Sequence, residues 1–202
     1  PSPDLCADRV DYSIREFNSW AAPDAVADCI NGLINYNNKI IFSNKETAHL
    51  FALNYLKCQR EHWGGAEWML RWEMFSNLLK YSLENKIISL DDFYCDDEHV
   101  INKLKNSKNE RIDRILDVLS NKLEFERVDK NESYDLKKKF RYVDPEYLEN
   151  GEIYRLSEAS REFYEFLDGQ RELNKNGNRI KLIRCVPTRH MSYPKIACET
   201  HY

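Results

Sequence analysis

The stretch Asp8-Arg9-Val10-Asp11-Tyr12-Ser13-Ile14-Arg15-Glu16 decides how the rest of this chain is read. Wound as a helix, it places Asp8, Tyr12 and then Arg15 or Glu16 on one face, with Val10, Ile14 and Phe17 on the other. The first face carries a carboxylate, a phenol and further charge, while the second is apolar. The spacing predicts a helix half sunk in a core and half lining a cleft. Read alone, Asp8 is more readily a solvated first-turn carboxylate than a ligand, because surface acids are common and metal sites are not.

Working outward, Trp20-Ala21-Ala22-Pro23 interrupts the pattern, and Pro23 suits the first turn of a second helix. Val26, Cys29, Ile30, Leu33 and Ile34 carry that helix to about Asn35, followed by a turn over Asn35–Lys39 and a connector or small strand over Lys39–Phe42. Ser43-Asn44-Lys45-Glu46 reads as a capping box opening the longest helical stretch, Lys45 to Glu84, as two helices or one bent at Gly64-Gly65. Ala48, Phe51, Tyr55 and Cys58 give it one apolar stripe; Trp68, Trp72, Phe75, Leu79 and Leu83 give it another, read as a buried spine. His62, beside Trp63, reads as a packed structural residue.

Two further capping signals follow, at Ser89–Asp92 and Ser107–Glu110, the second opening a helix with Ile112, Ile115, Leu116 and Leu119 inward. The acidic run Asp91-Asp92 and Asp96-Asp97-Glu98 lacks the glycine and alternation of a calcium loop and reads as a solvated capping region. From Leu123 the period shortens: strands are expected around Lys138–Val143, Ile153–Leu156 and Arg179–Val186, with a helical turn after Asp144-Pro145 and a helix from Ser157. The expected architecture is mainly α. It comprises a helical region over 1–121, a small α+β region over 122–186 and an irregular tail over 187–202.

At 202 residues the chain is long enough for one large or two small cores, and 32% charged, 42% hydrophobic and 12% aromatic residues are those of a globular protein. A net charge of −4 argues against a whole-domain nucleic-acid footprint. The absence of a membrane-length apolar run and of a leader-like start gives the expectation of a cytoplasmic, non-membrane protein. Cys6, Cys29, Cys58, Cys95, Cys185 and Cys198 show no ligand spacing and are expected as reduced, mostly buried thiols.

Two blocks carry a family resemblance. Asp8-Arg9-Val10-Asp11-Tyr12 with Ile14-Arg15-Glu16 resembles the D-R-L-D-Y-L-x-R-D segment of HD-domain phosphohydrolases, which include the deoxynucleoside triphosphate triphosphohydrolases. Lys138–Pro145 (K-K-F-R-Y-V-D-P), with Gly151 and Arg155-Leu156-Ser157, resembles their K-x-R-x-V-D-P…G…R-L-S segment. Between them, Gln59 to Leu70 stands where the family has Y-x-H-K-T…E-x-M-L; Glu67, Met69 and Leu70 match, but Arg60 and Glu61 replace the His and Lys. The resemblance implies a helical bundle of HD-domain type with a small C-terminal α+β appendage. Asp8 would be the last ligand of an H…HD…D metal site, with Tyr12 and Glu16 along the nucleotide pocket.

The five histidines, His49, His62, His99, His190 and His201, include no His-Asp doublet, and one carboxylate cannot hold a hydrolytic metal. The sequence is therefore expected to be the C-terminal portion of a metal-dependent phosphohydrolase acting on nucleotides or related phosphate esters. Its divalent metal would belong to the complete protein, none being held tightly by this chain alone. Lys138, Lys139 and Arg141, with Lys137, form the strongest basic run, readable as an edge strand or as candidate phosphate contacts; the resemblance further implies a homo-oligomer with nucleotides also held between its copies. The alternative is a non-catalytic nucleotide-binding or oligomerisation module of the same fold.

Overall fold

A computed structural model describes residues 4–127, 134–136, 138–175 and 177–186. These are mostly helical, with small sheets, and no described helix is long and apolar enough to cross a membrane. Lys137, Val128 and the tail 187–202 lie outside the described residues. Contacts divide the chain into two units, each assembled from two stretches: Pro1–Met69 with Asp135–Asn178, and Leu70–Tyr134 with Arg179–Tyr202.

The first unit opens with α1 (Ala7–Glu16), which continues without a break into a wider π-helical turn, Phe17–Ala21. A 3-10 turn (Pro23–Ala25), with Pro23 in its first turn as expected, leads into α2 (Val26–Asn31). The helix stops four residues short of the expected Asn35. Leu33 and Ile34 satisfy a period of two as well as one of 3.6, and they enter a strand instead. That strand, β1 (Leu33–Tyr36), pairs antiparallel with β2 (Lys39–Phe42). Asn37 and Asn38 both have positive φ (50° and 61°), the signature of a two-residue type I′ hairpin.

The next helix, α3 (Lys45–Lys57), is capped by Asn44, whose Oδ1 accepts from the Thr47 amide at 2.9 Å, and not by Ser43. It too ends in a π-helical turn, Cys58–Trp63. Gly64-Gly65 then separates it from α4 (Ala66–Glu84), as their sequence position predicts. A Cβ on Gly64 would lie 2.5 Å from both the Gln59 carbonyl and Lys138 Nζ, and one on Gly65 2.5 Å from the Glu61 carbonyl, so the break is dictated by crowding.

The other stretch of this unit supplies β5 (Glu146–Glu149) and β6 (Glu152–Arg155), a second hairpin turning at Asn150-Gly151 with φ of 51° and 85°. β5 joins β2 in parallel, Phe42 facing Tyr147, giving the order β1-β2-β5-β6. The expected strand at Lys138–Val143 and the helical turn after Pro145 are absent: residues 138–145 run without regular structure straight into β5. Short α7 (Leu156–Ala159) and α8 (Arg161–Lys175) follow. Phe17, Phe42, Phe51, Tyr147 and Phe163, all within 1% of full burial, form the centre of this unit's core.

The second unit contains most of α4, a 3-10 turn (Leu90–Tyr94), α5 (Asp97–Asn106) and α6 (Glu110–Ser120). Leu78, Ile88, Val100, Leu104 and Ile112 make its core. The Ser89 capping box is present, but α6 is capped by Asn109 rather than Ser107. The aromatic stripe read as a buried spine is only half buried. Phe75, Leu79 and Leu83 pack on this core, whereas Trp72, on the helix's earlier turns, is 71% exposed and Trp68 46% exposed. The strands β3 (Lys122–Arg127), β4 (Tyr134–Leu136) and β7 (Asn178–Val186) form a sheet of order β3-β7-β4. Ile183 is left without a partner where the β3–β7 register shifts.

Candidate functional site

The site is built where α1 and its π turn meet the end of α3 and its own π turn, all within the first unit. Widened turns of this kind cost hydrogen-bond geometry and concentrate at functional positions, because they re-aim side chains that a regular helix would send elsewhere. Tyr12 and Glu16 lie one turn apart on α1 and both find partners here. The Tyr12 hydroxyl is 3.2 Å from that of Tyr55, and the Trp63 ring stands edge-on to both phenols, 5.4 and 5.3 Å away. Glu16 Oε2 is 3.0 Å from His62 Nε2.

His62, read from the sequence as a packed structural residue, is packed here and also has a charged partner that the sequence did not reveal. Its ring stacks on Trp20 at 5.1 Å and meets Trp68 edge-on at 5.8 Å, so two partly exposed indoles hold it while Glu16 fixes one ring nitrogen. Lys57 Nζ sits 5.7 Å from the Trp20 ring and donates to the Ala21 carbonyl at 2.8 Å, tying the two π turns together. Its position beside Trp63, just before two glycines, was the available signal; its pairing with Glu16 could be read only once the π turns were known.

Beneath the surface the electrostatics favour neutral groups. Burial above all, then the bond from Tyr12, drives the Tyr55 phenol upward, against the opposing charges of Arg9 and Arg141. Those two arginines thus place positive charge beside the paired phenols. Burial foremost, with Glu16 second, pushes the Cys58 thiol up to about 12, and burial with Asp28 takes Cys29 up to about 11. Both buried thiols are therefore inert, while Cys6 and Cys95 are exposed. Gln59, 8% exposed, forms no side-chain hydrogen bond among the described residues.

Asp8 stands exposed in the first turn of α1, two turns before Glu16, and forms no hydrogen bond or ion pair among the described residues. No group of three or more His, Cys, Asp or Glu side chains among those residues is arranged to hold a metal ion. The side chains described therefore do not fit a metal by themselves, and no chemical step is assigned to one.

Of the basic run, Lys138 has its ammonium on three carbonyls, those of Gly64 (2.7 Å), Gln59 (3.2 Å) and Arg60 (3.4 Å). Burial, and to a lesser degree the charge of Arg60, lowers its pKa, while the carbonyls hold the charge in place. With three donors so used, it has none to offer a phosphate. Lys139 and Arg141 are exposed and hold no ion pair among the described residues.

The halves of the second motif meet. Asp144, 5% exposed, accepts from the Ser157 amide (2.9 Å) and hydroxyl (2.6 Å) at the start of α7. Arg155 donates to the Asp144 carbonyl (2.7 Å), Glu146 (3.0 Å) and Asp4 (2.6 Å). The Asp-Pro and Arg-Leu-Ser segments thus form one hydrogen-bonded device that closes the β5–β6 hairpin and pins residues near the amino end.

The chain is 25% identical over 186 residues to the uncharacterized protein YdhJ of Bacillus subtilis (strain 168), an alignment that covers 91% of this chain and 57% of that protein. The chain thus spans little more than half the length of the relative it matches. No family model matches it, and no solved structure matches it significantly.

Proposed function

We propose that this chain is part of a metal-dependent phosphohydrolase of the HD-domain type, its helices being those of that bundle with a small α+β appendage. On this reading α1 forms one wall of a pocket for a nucleotide or other phosphate ester. The observation that carries it is the convergence at α1. Tyr12 and Glu16, singled out by their place in a motif, each meet a polar partner on the α3 side, and Arg9 and Arg141 bring positive charge beside the phenols. Polar pairs backed by aromatic rings, near a positive field, suit a phosphorylated ligand with hydroxyls to bind. Asp8 would serve as one ligand of a divalent metal whose remaining ligands come from beyond this sequence. A cytoplasmic, homo-oligomeric protein is part of the same reading.

The lack of a three-ligand cluster among the described residues favours a second reading, a non-catalytic nucleotide-binding or oligomerisation module. The two separate in one experiment on the protein encoded by the natural reading frame that contains this sequence. Metal content and phosphate release from a panel of nucleoside triphosphates are measured for the wild type and Asp8→Ala. Metal-dependent release that Asp8→Ala abolishes together with bound metal supports the enzyme. Nucleotide binding without metal or release supports the module, and neither binding nor release rejects both.

A further inference from the structure

The 3-10 turn Leu90–Tyr94 is inside out. Of its two carboxylates Asp91 is exposed but Asp92 is only 6% exposed, whereas Leu90, Phe93 and Tyr94 are 71%, 45% and 91% exposed. A buried acid and a group of large exposed apolar side chains are each informative alone; here five residues hold both. The inversion is held firmly. Asp92 accepts from the Ser89 amide (2.7 Å) and hydroxyl (3.0 Å), from Lys103 Nζ (2.8 Å to each oxygen) and stands 2.8 Å from His99 Nε2. The turn is thus locked to α5 by its acid, and the three apolar side chains stand on a fixed backbone. Preorganised aromatic anchors of this kind lose little entropy on being covered.

The surrounding charge says what covers them. Asp91 within the turn and Asp96, Asp97 and Glu98 just after it are all exposed. Asp91, Asp97 and Glu98 hold no ion pair among the described residues. Such a rim repels nucleic acid and anionic lipid headgroups. It also opposes a two-fold contact between copies of this chain, which would set like charges face to face.

We infer that the Leu90–Tyr94 turn is a docking surface for another protein, one offering an apolar stripe flanked by Lys and Arg. The apolar trio supplies the anchor and the acidic rim supplies orientation and on-rate. This surface stands independently of any phosphohydrolase role for α1.

The test uses the protein encoded by the natural reading frame that contains this sequence and three synthetic peptides: an amphipathic Lys/Leu helix, its Glu/Leu counterpart and a Lys-only peptide, titrated by calorimetry. Only the Lys/Leu peptide should bind. Tyr94→Ala and Phe93→Ser should each weaken it at least tenfold, and Asp96→Asn with Asp97→Asn should weaken it several-fold and flatten its salt dependence. Tyr94 is almost wholly exposed, so its loss leaves the fold intact, which circular dichroism checks. Binding that ignores Tyr94→Ala and Phe93→Ser overturns the inference, as does equal binding of the Glu/Leu or Lys-only peptide, or none by any. Sedimentation showing a dimer that Tyr94→Ala dissolves would hand the surface to a second copy and also overturn it.

Discussion

Lys138→Met tests whether the end of α3 is closed by a cation rather than by packing. In the wild type the Lys138 ammonium gathers the carbonyls of Gln59, Arg60 and Gly64 where the π turn meets the two glycines. Methionine keeps the apolar stem and removes the charge. The Gln59 carbonyl retains a second donor, the Gly64 amide at 3.1 Å, so its loss is partial. The Gly64 carbonyl, at 2.7 Å the closest of the three, loses its partner. A buried acceptor left unmade costs about 1–3 kcal/mol. Removing a positive charge from a helix's C-terminal end adds roughly 0.3–1 kcal/mol. The expected destabilisation is therefore about 3 kcal/mol, read as a lower urea midpoint with unchanged slope. Lys138→Arg should lose most of the same amount, because a planar fork cannot send donors to carbonyls that converge on one point, and Gly64 leaves no room beside it. A loss below about 1 kcal/mol for Lys138→Met, or wild-type stability for Lys138→Arg, would refute the account.

Four further outcomes follow from the same contacts. Asp92 is held well below the usual carboxylate range, first by Lys103, then by the Ser89 amide and by His99. Its folded value being the lower one, its contribution is present above the ordinary 3.8 and is lost as pH falls from there, so thermal midpoints of Asp92→Asn should fall less steeply than wild type on acidification. Tyr12→Phe removes one cause of the raised Tyr55 phenol, so ultraviolet titration should find Tyr55 ionising at lower pH but still above an ordinary tyrosine, because burial, the larger cause, remains. Asp144→Ala removes both partners of Ser157 and should cost roughly 2 kcal/mol in a urea melt, against about 1 kcal/mol for Ser157→Ala, which keeps the amide contact. Arg141→Ala should weaken tripolyphosphate binding measured by calorimetry without moving the melting temperature; the reverse pattern would make Arg141 structural.

The helices were legible wherever period and punctuation agreed. Lys45 to Glu84 breaks at Gly64-Gly65 as read, because glycine there meets both a conformational and a steric demand. Of the three caps, Ser89 is where it was read, and the other two were located to within two residues but misassigned. Ser43 and Ser107 lose to Asn44 and Asn109, since several residues in a row could each cap and only the chain path chooses. The strand β1 was lost inside an apparent helix because two adjacent apolar residues fit either period. At the site, Tyr12 and Glu16 were visible as helix spacing, but their partners Tyr55 and His62 lie 43 and 46 residues on. No local pattern encodes that meeting. Nor does any pattern mark the two π turns: Cys58–Trp63 reads as ordinary helix, and the break read at Trp20-Ala21 gives no sign that the turn before it is widened.

What composition hides is that this chain uses inward-turned, partly or wholly buried charge as fastening. Lys138, from a basic run, and Asp92, from an acidic run, both come from stretches whose bland reading was solvent. In each case one member of the run turns inward and its neighbours stay outside. The inward member is chosen by what it meets: three carbonyls gathered at a helix end for the lysine, a capping amide and a facing lysine for the aspartate. A charge so engaged is a poor ligand, because binding anything else would break the hydrogen bonds it already makes. The neighbours are thereby set in place on a fixed backbone, Lys139 and Arg141 in one run, Phe93 and Tyr94 with their acidic rim in the other. Recognition on these two runs is therefore expected to reside one to three residues away from Lys138 and Asp92.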